Sequence, residues 1–324
     1  MRLELRALSK AYGGTTVLQP TNLSVEDGEF LTILGPSGCG KTTILRLIGG
    51  FTEPTAGSIA FGGADITRVP THKRPFNTVF QDYALFPHMT VEANVGYGLR
   101  IRRRPAAEIR RKAGEALEVV GLSGLGARYP AQLSGGQRQR VALARAIVCE
   151  PKLILLDEPL AALDAELRRQ MQGFLKHLQR TIRTTFIFVT HDQEEAITMS
   201  DRIVVMRAGR IEQIGAPKEL YYRPATRFVA SFFGRSNLID GTASGPDSIA
   251  TPLGTFSAPG IAAGRTGRVT VSVRPERLSL NAGDGLKIPG RVEEVVFGGS
   301  TTQVTIRADA DPAVLIALEL ASES

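Results

Sequence analysis

The segment Gly35-Pro36-Ser37-Gly38-Cys39-Gly40-Lys41-Thr42 fits the pattern G-x-x-x-x-G-K-[ST], and the chemistry of such a turn is the holding of phosphate. Its glycines keep side chains off the turn, so that backbone N–H groups converge on phosphate oxygens at a helix N-terminus. Lys41 adds a full positive charge, and the Thr42 hydroxyl is placed to ligate Mg2+. An acidic pair forms a second group. Asp157-Glu158 closes the apolar run Leu153-Ile154-Leu155-Leu156, with Asp157 suited to a Mg2+ shell and Glu158 to taking a proton from an attacking water. His191, delivered by the run Thr185-Phe186-Ile187-Phe188-Val189, is a candidate γ-phosphate sensor. Leu133-Ser134-Gly135-Gly136-Gln137 reads in two ways: a second anion-binding turn at a helix start, or an ordinary helix cap with Ser134 as the capping residue.

These groups work together only if elements bring them to one place, and the pattern predicts an α/β fold. Phe30-Leu31-Thr32-Ile33-Leu34 precedes the phosphate turn as a strand and Thr43 to Ile48 follows it as a helix. The runs 153–156 and 185–189 have the unbroken apolar form of buried parallel strands, whose carboxyl ends are where ligands sit in open α/β sheets. Leu3 to Ala7 alternates like an edge strand, continued by Leu23-Ser24-Val25 and the turn Asp27-Gly28. Tyr12 lies on the Gly13-Gly14 loop, either as a surface ring or stacked on an adenine. Strands are expected at 57–61 and 78–80, with Gln81 at the exit of the second, and a helix at 105–120 with Ile109, Ala113, Ala116, Leu117 and Val120 on one face. Tyr83-Ala84-Leu85-Phe86-Pro87-His88-Met89 is apolar, aromatic and broken by Pro87; it is a small core or a docking surface, and residue pattern alone favours core. The segments 202–206 and 210–214 read as a hairpin across Ala208-Gly209, followed by short helices at 217–222 and 226–233.

The chain has 324 residues, 43% of them hydrophobic, enough for about two domains. Beyond Arg235 the composition turns to Gly, Pro, Ser and Thr with strand-like pieces at 268–273, 291–297 and 302–306. This predicts a 1–235 nucleotide-binding domain followed by a 236–324 β-rich barrel or sandwich. Residues 1–235 hold 32 Lys and Arg against 22 Asp and Glu, whereas 236–324 hold 7 against 10. The densest cluster, Arg100, Arg102, Arg103, Arg104, Arg110, Arg111 and Lys112, is most simply a solvated face. No run reaches the length of a membrane span and the N-terminus has no signal-peptide pattern, so the chain is expected in the cytosol. Cys39 and Cys149 cannot make a disulfide framework or a metal cluster by spacing.

With the 35–42 loop, Gln81, Leu133–Gln137, Leu153–Glu158, Ala162-Leu163-Asp164 and His191 in this order, residues 1–235 resemble the ATP-binding cassette ATPase family. The Leu-Ser-Gly-Gly-Gln pentapeptide carries the resemblance, because other phosphate-loop families lack it. What it implies is a head-to-tail homodimer with each ATP held between one subunit's phosphate loop and the other's Ser134, Gly135, Gly136 and Gln137. By the same resemblance Tyr12 stacks on adenine, and Gly35, Pro36, Ser37, Gly38, Cys39, Gly40, Lys41, Thr42 and Thr43 bind phosphate. Thr42, Gln81 and Asp157 serve Mg2+, Glu158 is the general base, His191 contacts the γ-phosphate and Asp164 acts across the dimer.

The second domain, with Val273-Arg274-Pro275-Glu276, Gly290-Arg291-Val292 and Phe297 to Thr302, is similar to the accessory oligonucleotide-binding-like barrel of bacterial importer ATPases. The family's barrel continues past the point at which the chain ends, so a closing strand is expected to be missing. The run 72–89 most resembles spermidine/putrescine importers, with relatives for ferric iron, phosphonates and sugars sharing much of it. The resemblance implies two membrane permease subunits docking near Tyr83 to Met89, an extracytoplasmic solute-binding protein acting indirectly, and a peripheral place on the cytoplasmic face of the inner membrane. No nucleic acid is expected. The rival from another class, a soluble cassette protein acting on DNA or ribosomes, has only the basic first domain in its favour, and the chain has neither a second cassette nor a coiled-coil insertion. A kinase or GTPase is disfavoured by the 133–137 segment.

Overall fold

The unbroken apolar runs of the sequence lie side by side in the middle of a six-stranded sheet in the computed structural model of the chain, which describes residues 1–257, 259, 266–280 and 285–322. The contacts divide the chain into two compact units, Met1–Glu219 and Leu220–Ser324. In the first, the elements are β1 (Leu3–Tyr12), β2 (Thr15–Val25), β3 (Phe30–Leu34), α1 (Lys41–Gly49), β4 (Ala56–Phe61), β5 (Ala64–Asp65), β6 (Phe76–Val79), α2 (Val91–Ile101), α3 (Ala106–Val119), α4 (Gly135–Ile147), β7 (Leu153–Asp157), α5 (Ala165–Ile182), β8 (Thr185–Thr190), α6 (Gln193–Met199), β9 (Arg202–Arg207) and β10 (Arg210–Gly215).

The six strands run in the order β10-β9-β3-β8-β7-β6 and are parallel except for the β9/β10 hairpin. Side chains alternate between two cores. Ile154 and Leu156 of β7 and Phe186 and Phe188 of β8 join the helices α2 to α5; Leu153, Leu155, Ile187 and Val189 join α1 and the antiparallel sheet β2-β1-β4-β5. Both faces are covered, so no strand position is left for a solvated side chain, which is why these runs are unbroken in sequence. Each fully buried Leu, Ile or Phe contributes about 1.5–3 kcal/mol relative to exposure.

Two local expectations change. The strand over Leu3 to Ala7 extends to Tyr12 and is not an edge: it lies between β2 and β4. Its hairpin turns at Gly13-Gly14, both at positive φ (52° and 86°), as a two-residue turn matching strand twist requires. Tyr12 is therefore the last residue of a strand rather than a loop residue, and Asp27-Gly28 leads into β3 of the other sheet. Helix α2 has no counterpart in the sequence reading, because Asn94, Gly96 and Gly98 lower its propensity. Packing supplies what propensity lacks: Val91, Val95 and Leu99 are buried at helical spacing, and a Cβ at Gly96 would stand 2.6 Å from Ile109 Cγ2. The predicted helix over 105–120 is α3, with Ala113, Ala116, Leu117 and Val120 buried.

The second unit begins within α7 (Pro217–Tyr222) and continues through α8 (Arg227–Phe232), β11 (Asn237–Gly245), β12 (Ser248–Thr251), β13 (Gly254–Ser257), β14 (Gly267–Val273), β15 (Gly290–Phe297), β16 (Thr301–Ala308) and β17 (Leu315–Ala321). The division falls before the composition change at Arg235 because Arg274, buried, donates to the Tyr221, Ala230 and Arg235 carbonyls and ties the short helices to the strands. Two sheets, β13-β12-β11-β14 and β15-β16-β17, share a core of Ile239, Leu253, Val304, Ile316 and Leu318. The Asn237 amide bridges them, donating to the Ala317 carbonyl (2.8 Å) and accepting from the Ala317 N–H (2.7 Å). All of β15 is exposed, Val295 at 60% and Phe297 at 73%. Residues 323 and 324, included in the expected 236–324 domain, lie outside the described residues. No helix among the described residues is long and apolar enough to cross a membrane.

Candidate nucleotide site

Parallel register gathers the chemistry-bearing residues. Leu34 pairs with Thr190, Val189 with Asp157, and Leu156 with Val79, so the turns that follow β3, β8, β7 and β6 leave from one edge of the sheet. Those turns carry the 35–42 loop, His191, Glu158 and Gln81.

The loop itself is shaped by close approach and by sign of φ. A Cβ at Gly35 would stand 2.5 Å from the Met206 carbonyl oxygen of β9. Gly40 caps α1 at φ 103°, a conformation side chains resist. Pro36, Ser37, Gly38 and Thr42 are exposed, Thr43 is half-buried, and Cys39 is buried in the core beneath, where burial pushes its thiol above the usual range. Lys41 is nearly enclosed, and its Nζ donates to the Gly35 (2.8 Å) and Pro36 (3.1 Å) carbonyls, which places the ammonium over the loop. With the first N–H groups of α1 this is an electropositive cradle.

Two polar pairs stand beside it. Thr42 Oγ1 donates to Asp157 Oδ1 at 3.1 Å, joining loop and β7 across 115 residues of sequence. Burial raises the Asp157 carboxyl above its ordinary value; the Thr42 hydrogen bond lowers it, Glu158 raises it, and Arg46 and Lys41 lower it. Glu158 Oε2 lies 3.2 Å from His191 Nδ1. Glu158 sits at φ 44°, a left-handed turn anchored by its N–H to the Val189 carbonyl (3.0 Å). Among the described residues no three His, Cys, Asp or Glu side chains converge as a metal cluster. A hydroxyl and one carboxylate in mutual contact do suit Mg2+, which takes one or two protein oxygens and fills its octahedron from phosphate and water.

The Leu133–Gln137 segment is a reciprocal cap: Ser134 Oγ accepts from the Gln137 N–H (3.3 Å) and Gln137 Oε1 accepts from the Ser134 N–H (3.0 Å). Capping and anion binding, posed as alternatives, are compatible here, since the cap leaves the Gly135 and Gly136 N–H groups unused by it. No hydrogen bond among the described residues joins this turn to the 35–42 loop of the same chain. Asp164 caps α5 through the Leu167 N–H (2.9 Å). Tyr12 is exposed, with the Lys10 ammonium 4.8 Å from its ring centre. Gln81 is exposed at the exit of β6. Tyr83 to Met89 divides: Tyr83 is buried in the helical core and Leu85 packs against it, while Phe86 is half-buried on Tyr97 and Pro87 and His88 are exposed.

Several positioning residues escaped the sequence reading. Arg74, 5% exposed, donates to the Leu47, Ile48, Val69 and Thr67 carbonyls and so closes the end of α1. Buried Glu195 accepts from the Thr190 hydroxyl (2.5 Å) just before His191, while Asp192 caps α6. Asn94 and Arg145 hold the segment after Gln81. Arg145 alone carried a signal, a charge inside the apolar stretch 141–148; Arg74 and Glu195 stand among polar neighbours, and Asn94 follows Glu92 closely.

Comparison with known proteins gives an ABC transporter family match over residues 18–161 and a TOBE domain match over 271–323. The spermidine/putrescine import ATP-binding protein of Oleidesulfovibrio alaskensis is 51% identical over 94% of this chain and 85% of its own length. That of Mesorhizobium japonicum is 48% identical over 97% of this chain and 89% of its own. Among solved structures, cbiO1 of Clostridium perfringens, part of the ABC transporter complex cbiONQ, superposes with a TM-score of 0.63 at 32% identity, covering 68% of this chain and 90% of its own. A dimeric post-hydrolysis state of the ATP-binding cassette MJ0796, bound to ADP and Pi, gives 0.58 at 33% identity, covering 66% and 98%.

Proposed function

Since the chain belongs to the family of ABC transporter ATP-binding proteins, with an accessory TOBE domain, we propose that its ATPase activity drives uptake of polyamines of the spermidine/putrescine class. The observation that carries the site assignment is the convergence at one sheet edge of the Lys41 cradle, the Thr42–Asp157 contact and the Glu158–His191 contact. The solute class rests on the likeness to the spermidine/putrescine import proteins.

In this reading two copies close head to tail, and each ATP lies between the 35–42 loop of one and the Ser134–Gln137 turn of the other. Tyr12 stacks on the adenine. Lys41 and the loop N–H groups hold the phosphate oxygens as charge shifts during transfer. Mg2+, held by Asp157 and Thr42 beside Gln81, would supply charge neutralisation at those oxygens. Glu158 takes the proton of the attacking water; His191 orients its carboxylate and reaches the γ-phosphate, and Asp164 acts across the interface. Because the site is composite, a monomer should be nearly inactive. Closure is passed to two permease subunits through Leu85 and Phe86, with the chain peripheral on the cytoplasmic face of the membrane and a solute-binding protein acting on the far side.

Glu158→Gln tests the chemistry: ATP should still bind and the dimer form, while turnover falls by about 100-fold or more. Turnover near wild type would remove Glu158 from the base role. In the reconstituted transporter, spermidine-loaded binding protein should raise ATP hydrolysis; stimulation only by ferric iron, phosphonate or sugar would reassign the solute.

A further inference from the structure

Tyr83 and Ala84 are consecutive non-glycine residues in the left-handed region, at φ 61° and 45°. Side chains disfavour that conformation, and two in a row persist only where surrounding contacts impose it. The imposing contact is the Arg145 guanidinium, whose Nη2 donates to the Tyr83 carbonyl (2.7 Å) and Nη1 to the Ala84 carbonyl (2.6 Å). The same guanidinium carbon lies 5.6 Å from the centre of the Phe86 ring. Beyond it Asn94, fully buried, accepts from the Phe86 N–H (2.8 Å) and donates to the Phe86, Met89 and Thr90 carbonyls. The Tyr83 phenol oxygen is buried without a partner among the described residues, so packing alone holds that ring.

Arg145 also occupies a particular place on α4. That helix opens on the Ser134–Gln137 turn, and ten residues later, about 15 Å along its axis, it ends a fork on the two strained carbonyls. The strained pair in turn lies directly between Gln81 and Leu85-Phe86. We infer that Arg145 is the positioning residue through which displacement of α4 bends the Gln81–Phe86 segment, linking capture of the partner's nucleotide to the permease-facing patch. The inference rests on the docking role given above to Leu85 and Phe86. A held left-handed pair suits this: it has a second, relaxed backbone state, so a small shift of the fork selects between two shapes of the loop.

The experiment compares ATP hydrolysis by the detached subunit with solute-stimulated hydrolysis and uptake by the full transporter. Arg145→Lys keeps the charge and loses the fork that spans two carbonyls. It should leave basal hydrolysis and ATP affinity within about twofold while coupled hydrolysis and uptake fall about tenfold or more. Ala84→Gly makes the left-handed state free of side-chain strain, so the double variant Arg145→Lys/Ala84→Gly should regain most of the coupled rate. Equal loss of basal and coupled rates, unrescued by Ala84→Gly, would reduce Arg145 to a structural residue and overturn the inference, as would full coupling in Arg145→Lys. Leu85→Asp and Phe86→Ala separate the two readings: if they uncouple while Arg145→Lys does not, this inference alone fails; if they transport normally, the docking reading fails first.

Discussion

Arg74 offers a measurable test of how helix α1, which follows the 35–42 loop, is held. Helices leave their last carbonyls unpaired, and α1, which starts at Lys41, ends with the Leu47 and Ile48 carbonyls accepting from Arg74 Nη1 at 2.9 and 2.6 Å. Nε and Nη2 take the Val69 and Thr67 carbonyls at 2.8 and 3.1 Å, so one buried cation is satisfied by four backbone oxygens and no carboxylate. Burial lowers its pKa from the usual arginine value, but a guanidinium starts so high that it stays protonated at any working pH. Charge-assisted bonds of this kind contribute about 1.5–3 kcal/mol each. The cost of desolvating the guanidinium, several kcal/mol, offsets much of their sum. Removing the side chain takes the donor from the Ile48, Val69 and Thr67 oxygens, while the Leu47 oxygen keeps the Gly50 N–H at 3.1 Å, and the net loss expected for Arg74→Ala is about 1–3 kcal/mol.

The glycine beside it sharpens the test. A Cβ at Gly50 (φ 76°) would stand 2.7 Å from Arg74 Nε. Gly50→Ala in the native background should therefore cost both the clash and the left-handed conformation, and in Arg74→Ala only the latter, about 1–2 kcal/mol. Because a chain of two units need not unfold in one step, the assay is hydrogen exchange of the α1 amides, with ATP affinity measured in parallel. A loss below about 1 kcal/mol for Arg74→Ala, or strictly additive effects of the two substitutions, would refute the idea that this guanidinium closes the helix.

Lys41→Ala should raise the dissociation constant for ATP at least tenfold, about 1.4 kcal/mol, and an unchanged constant by titration calorimetry would contradict the cradle. Burial raises the Glu195 carboxyl above 4.5, with Thr190, Arg168 and His191 lowering it and Asp192 raising it. The folded chain thus holds that proton more tightly than the unfolded chain, and this group's contribution falls as pH rises from 4.5 through the raised value. Glu195→Gln should gain on wild type across that window, read as a Tm difference that grows with pH; a flat difference would count against the burial argument. Phe297→Thr, at a position 73% exposed, should leave Tm within about 0.5 kcal/mol equivalent and reduce self-association by light scattering.

The glycine turns at 35–42 and 133–137, the acid pair at the end of β7 and the parallel strands were legible in the sequence because each depends on residues close together in the chain. A short apolar run without interruption, bounded by turn residues as at 153–156, reads as a strand covered on both faces, and a glycine turn before Lys41-Thr42 announces its own backbone geometry. What escaped was the set of buried polar residues that finish these turns from a distance: Arg74 on α1, Asn94 and Arg145 on the 83–90 segment, Glu195 behind His191. Helix α2 belongs with them, since its glycines mean nothing until Ile109 of α3 packs against Gly96 and Cys149 against Gly98. Local patterning chose the elements and the reactive side chains. Only the tertiary structure decided which orphaned carbonyls a given guanidinium or amide would meet, because that pairing is set by desolvation across the folded core and not by spacing along the chain.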